Sequence, residues 1–160
     1  MKRFLCVSTK GGVGKSSISQ QVAATYLLKR DGEARLVELD DQNLDSQWLT
    51  KSRIKTTQIL VDGDPKMAIL DVFEAMAGQS FVLDLGNQTA DLAIDAMGRS
   101  RVLRRFDLIF VPVRDTGQDL INAEKTIAEI RSHEPNARIA LVLNGIAVKQ
   151  SRLKMLYGKI

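Results

Sequence analysis

Residues 10–16 read Lys10-Gly11-Gly12-Val13-Gly14-Lys15-Ser16. They stand between an apolar run, residues 4–8, and a stretch in which Ile18, Val22 and Tyr26 recur at helical spacing with Leu27 beside them. A glycine-rich turn joining a strand to a helix has a definite chemistry. Its glycines accept positive φ and let backbone N–H groups point inward. The helix that starts near Lys15 adds the partial positive charge of its N-terminus. An ammonium and a hydroxyl at that start suit phosphates and their magnesium ion. The stretch therefore reads as a phosphate-binding loop. Gly11, Gly12, Val13, Gly14, Lys15, Ser16 and Ser17 surround the phosphates, with Lys15 reaching the β- and γ-phosphates and Ser16 ligating Mg²⁺.

Working outward, the first helix should stop at Gly32, after Lys29-Arg30 in its last turn. A second strand is expected over residues 34–40. Residues 44–51 suit a short helix and 58–61 a short strand. Asp64-Pro65 is a helix start, Asp as cap and Pro at the first helical position, for a helix to about residue 77. Further strands are expected over 80–85, 108–113 and 138–143, with helices over 90–103 and 117–132, the last capped by Thr116. Strands alternating with helices predict an α/β fold, a mostly parallel sheet with helices on both faces. Ligands of such sheets sit beyond the carboxyl ends of the strands. The loop, residues 40–43, residues 84–88 and Asn144 all fall there.

Composition is that of an ordinary folded domain: 160 residues, 44% apolar and 26% charged. The expectation is one domain over 1–160, with 146–160 as a helical tail or a cut end. The lone Cys6 rules out an internal disulfide or a cysteine-built zinc or iron–sulfur site, and reads as a small core residue. The apolar run after Met1-Lys2-Arg3 is too short for a signal peptide, and no stretch approaches a membrane span. A cytoplasmic protein is expected. A net charge of +4 permits a polyanionic partner without demanding one.

One departure from the general phosphate-loop pattern carries a resemblance. Position 9 is Thr where that pattern has Gly, and a second lysine, Lys10, opens the loop. Lys-Gly-Gly-x-Gly-Lys-Ser resembles the deviant Walker A motif of the ParA/MinD family of P-loop ATPases, here the compact plasmid partition, stability and conjugation branch. The resemblance spans residues 2 to about 145 and implies a P-loop fold, ATP, Mg²⁺ and a homodimer formed with ATP. It implies that Lys10 reaches across the dimer to the partner's nucleotide, as an arginine finger does. In residues 38–43, Asp40 and Gln42 match the family's Asp-x-Asp-Pro-Gln motif, while Glu38 replaces an Asp and Asp41 the Pro. Asp40 is then the residue that positions the attacking water. Phe81-Val82-Leu83-Asp84 matches the Walker B pattern, making Asp84 a second Mg²⁺ residue. The prolines that commonly follow are replaced by Leu85-Gly86-Asn87-Gln88, where the Gly86 N–H could approach the γ-phosphate. Asn144 matches the family's adenine-contacting Asn. With Gly-Ile-Ala after it, the guanine signature is missing, which favours ATP over GTP.

Other features have two readings. Arg99, Arg101, Arg104 and Arg105 suit nonspecific contact with DNA, and nucleoid association with it, or simply complement a helix dipole. Leu153, Leu156, Tyr157 and Ile160 recur at helical spacing among basic residues, a core-facing helix in preference to a membrane anchor. Trp48 reads as packing and His133 as surface. The function expected is a slow, partner-stimulated Mg-dependent ATPase that switches by dimerising and positions or segregates plasmid or conjugative DNA or another cargo. The alternatives are a metabolic ligase of dethiobiotin-synthetase type and a nucleotide-binding scaffold that does not hydrolyse.

Overall fold

The computed structural model describes residues 1–40, 53–61 and 65–145, with the backbone alone for Asp40 and Leu60. The expectations for Asp41, Gln42, Asn43, residues 44–51 with Trp48, the Asp64 cap and residues 146–160 lie outside these. In chain order the elements are β1 (Arg3–Cys6), α1 (Lys15–Ser17), a π-helical segment (Ile18–Ala24), α2 (Thr25–Asp31), β2 (Ala34–Asp40) and β3 (Ile54–Leu60). Then come α3 (Pro65–Ala75), β4 (Phe81–Leu85), α4 (Ala90–Arg99), a 3₁₀ turn (Leu103–Arg105), β5 (Leu108–Val113), α5 (Gly117–His133) and β6 (Ile139–Leu143).

Every strand pairing is parallel, and the sheet runs β3-β2-β4-β1-β5-β6. The chain leaves β1 for β2 on one side and returns past β1 to β5 on the other. The carboxyl end of β1 is thus a topological switch point, where such sheets hold ligands.

Strand residues alternate between two apolar layers, as the period of two requires. Leu5, Val7, Leu83 and Leu85 face α3, α4 and α5 in the larger cluster. Phe4, Cys6, Leu36 and Val82 face the helix that follows the loop. Cys6 is fully buried, and burial above all pushes its thiol pKa well up, so it is the inert core residue expected. In the larger layer Phe73, Phe81 and Phe106 pack edge to face at centroid distances of 5.3–6.5 Å. Phe81→Ala should cost about 3–5 kcal/mol and lower the melting temperature by roughly 10 °C, read by thermal circular dichroism. A drop of only a degree or two would show that the trio is not what anchors this layer.

The boundaries moved furthest in two places. The expected strand at 58–61 is longer and starts at Ile54, because it pairs with β2 from Ala34↔Ile54 onward. The expected helix at 90–103 ends at Arg99, and the chain turns through Arg101 at φ 57° into the 3₁₀ turn. Gly32 (φ 79°) closes α2 and the Thr116 hydroxyl accepts the Asp119 N–H to cap α5, both as read from sequence.

The phase of the first helix is a correction. Ile18 and Leu27 are buried, but Val22 and Tyr26 are half exposed, and Ser19, Gln20, Ala23 and Ala24 face inward instead. The physical reason is the π segment, whose i→i+5 turns carry more residues than α turns and rotate every later side chain. Just past its end the Thr25 hydroxyl donates back to the Gln20 carbonyl at 3.1 Å. Val22 and Tyr26, with Phe4, Leu108 and Phe110, line a cleft of about 370 Å³ on this face.

Candidate functional site

The loop runs from the end of β1 into α1, so its backbone turns over the switch point. Gly14 sits at φ 91°, a conformation that costs any residue with a Cβ. A Cβ there would also lie 1.6 Å from Asn144 Nδ2. Asn144 donates from Nδ2 to the Val13 carbonyl at 3.0 Å, and its own N–H donates to Val113 O. The end of β6 therefore clamps the loop. Among the described residues no acceptor takes the N–H of Gly11, Gly12 or Gly14. Donors left over in a positively charged turn are what a phosphate needs.

Lys15 and Asp84 converge under this turn. The Lys15 ammonium lies 2.9 Å from Asp84 Oδ1, with the carboxylate almost wholly buried. Ser19, which sequence reasoning missed, donates to Asp84 Oδ2 at 2.6 Å and to Ser16 O at 3.0 Å. Asp84 sits beside β1 in register with Cys6, so Ser16, Lys15 and Asp84 share one end of the sheet. No cluster of three metal-ligating side chains is present among the described residues. A hydroxyl and one carboxylate are nonetheless the hard oxygen donors that Mg²⁺ takes when nucleotide phosphates complete its shell. The residues present fit Mg-nucleotide. Bound there, the ion would neutralise phosphate charge, with Ser16 and Asp84 holding it and Lys15 meeting the phosphates.

Glu38 is the second buried carboxylate, opposite Asp84 in the β2–β4 register. Gln20 Nε2 donates to it at 3.4 Å and Gln58 Nε2 at 3.0 Å. It ties the loop helix to β2 and β3. Asp40 ends β2 at the same edge of the sheet; its side chain lies outside the described residues. The Gly86 N–H, expected to approach the γ-phosphate, is instead donated to the Leu39 carbonyl at 2.7 Å. The β2–β4 pairing continues one residue beyond β4 and consumes it. Asn87 comes closest to Gly11 from this loop.

Lys10, about a third exposed, turns its ammonium toward α5 of its own chain. It forms an ion pair with Asp119 in the first turn of α5, whose other oxygen takes Arg114 Nε at 2.8 Å. The Lys10 hydrogen bond above all, and Arg114 behind it, bring the Asp119 carboxyl down to about 2. Its contribution to stability is complete above the usual aspartate range and is lost as pH falls toward 2. The four arginines of the predicted patch lie at the opposite end of the sheet and are exposed. Arg99 pairs with Asp95 at 2.9 Å and Arg105 stacks on Phe73 at 4.3 Å, so half of the patch is already engaged.

No protein-family model matches the chain, and no curated protein does. Solved structures do. A plasmid partition protein from Borrelia burgdorferi superposes with a TM-score of 0.71 at 14% identity, over 99% of this chain and 86% of that one. A plasmid partition protein from the same organism bound to AMPPNP gives 0.69 at 14%, over 99% and 81%. Cobyrinic acid a,c-diamide synthase from Mycobacterium smegmatis with ADP and magnesium gives 0.60 at 14%, over 88% and 72%. With its all-parallel sheet and its loop at the end of β1, the chain has the P-loop fold of ParA/MinD type found in these plasmid partition proteins.

Proposed function

We propose that this chain is a Mg-dependent ATPase that works as a dimerisation switch of ParA type, positioning or segregating plasmid or other cargo. The observation that carries the reading is the convergence of Lys15, the free loop N–H groups and buried Asp84 at the switch point, with a second lysine opening the loop. Lys15 holds the phosphates, Ser16 and Asp84 hold Mg²⁺, and Asp40 positions the attacking water. Asn144 takes adenine through the amide oxygen that its bond to Val13 leaves. Lys10 supplies positive charge in trans, where the transition state becomes negative. A partner protein stimulates hydrolysis, and nonspecific DNA contact falls to the exposed arginines, Arg101 and Arg104 first. No helix among the described residues is long and apolar enough to cross a membrane. We read 1–160 as one such ATPase domain.

The test is light-scattering mass with Mg-ADP and then Mg-ATP, for wild type and Asp40→Ala. A monomer with ADP and a dimer with ATP, longest-lived in Asp40→Ala, is expected, and DNA binding is then measured on the trapped dimer. A monomer throughout would sink the switch. It would favour a small-molecule ligase, because cobyrinic acid a,c-diamide synthase shares the fold.

A further inference from the structure

The two partners of Asp84 differ in their freedom to leave it. Lys15 lies on Oδ1 at 2.9 Å and Ser19 on Oδ2 at 2.6 Å. The Lys15 ammonium rides on a long stem, keeps 13% of its side chain in solvent and has phosphate as an alternative partner. Ser19 is fully buried, and its hydroxyl stands one carbon from the backbone. Its neighbour Gln20 reaches Glu38, which is opposite Asp84 in the sheet. This turn of helix is therefore fastened to both buried carboxylates. A hydroxyl has one proton to give. Ser19 sets that proton between Asp84 Oδ2 and the Ser16 carbonyl at 3.0 Å, and the charged acceptor at the shorter distance is the stronger.

We propose that Ser19 determines metal specificity: by holding Oδ2 it makes Asp84 offer one oxygen, which suits Mg²⁺ and disfavours Ca²⁺. This rests on the Mg-nucleotide reading above. Once Lys15 turns to phosphate, Oδ1 is free and Oδ2 remains engaged. The carboxylate cannot exchange its oxygens without first breaking the Ser19 bond. Mg²⁺ is small, demands near-octahedral geometry and keeps several waters, so one carboxylate oxygen serves it. Ca²⁺ gathers more oxygens, and a carboxylate that gives both suits it better. Ser19 touches neither the ion nor the nucleotide; it acts through Asp84.

The experiment compares wild type, Ser19→Ala and Ser19→Thr, with metal-free melting curves to check that each is folded. A fluorescent ATP analogue is titrated in Mg²⁺, in Ca²⁺ and in EDTA, and the ratio of its affinities in the two metals is read. In wild type the ratio should favour Mg²⁺. Ser19→Ala should lower it by about tenfold, as the loss of one charge-assisted hydrogen bond implies, while affinity in EDTA stays within about twofold. Ser19→Thr keeps the hydroxyl and should retain most of the wild-type ratio. An unchanged ratio in Ser19→Ala, or an equal loss in all three conditions, would overturn the proposal. Ser19 would then be a packing residue, and the Mg-nucleotide reading would stand without it. A ratio that falls as far in Ser19→Thr would also overturn it, because side-chain fit and not the hydroxyl would set the preference. An analogue whose binding no metal tightens would remove the metal from the site, and the role of Ser19 with it.

Discussion

Lys15→Ala is expected to weaken ATP binding by at least about a hundredfold, since charge-assisted bonds to two phosphates are lost. Titration with a fluorescent ATP analogue reads it. The same change does something that phosphate chemistry alone does not predict. Lys15 is the cation on Asp84, a carboxylate with 3% of its side chain exposed and, among the described residues, the Ser19 hydroxyl as its other partner. Removing the ammonium leaves a buried charge, at a cost of about 3–5 kcal/mol. The variant should therefore melt early as well as fail to bind. The double variant Lys15→Ala/Asp84→Asn separates the two effects. It should recover most of the melting temperature, because the uncompensated charge is gone, and recover none of the binding. If the double variant binds ATP as wild type does, Lys15 is only a structural cation and the phosphate assignment is wrong.

Lys10→Ala is the opposite case. Its loss leaves Asp119 paired with Arg114, so stability should change by less than about 1 kcal/mol. Affinity for ATP should stay within a few-fold, because Lys15 and the loop N–H groups remain. Turnover should fall by about a thousandfold, the low end of what a cation supplied in trans contributes to phosphoryl transfer. Steady-state phosphate release at saturating ATP is the measurement. A variant with normal turnover would show that Lys10 only docks on α5, whereas one that loses binding would place Lys10 on its own nucleotide.

The two lysines differ in how legible they were. Both fall inside seven residues whose spacing is itself the signal, and the strand before and the helix after them confirmed the context from neighbours alone. The fate of their side chains was not legible. Asp84 lies 69 residues from Lys15, and many strands end in an aspartate. Only the sheet order, which sets β4 beside β1, makes that carboxylate the one under the loop. Asp119 and Arg114 belong to no motif that the sequence displays.

Ser19 and Gln20 were hidden for a different reason. Ile18, Val22 and Tyr26 recur at helical spacing, which in an unbroken α-helix puts them on one face. The π segment rotates that face, so Ser19 meets Asp84, Gln20 meets Glu38 and Tyr26 turns outward. Spacing assumes 3.6 residues per turn, and widened turns break the assumption without a mark in the sequence.

What the sequence determined by itself is what short-range chemistry controls. This includes the glycine turn between the first strand and the first helix, the alternation of strand and helix, the Thr116 cap, the Gly32 stop and the apolar strands of a covered sheet. Each depends on contacts between residues a few positions apart, so the local pattern suffices. The tertiary structure decided the partnerships. Asn144 closes on Val13 from 131 residues away, Glu38 becomes a tie between two strands and the loop helix, and the Gly86 N–H is spent on Leu39. Those pairings follow from strand order and helix phase, which are properties of the whole packed chain, because burial of two apolar layers fixes them together.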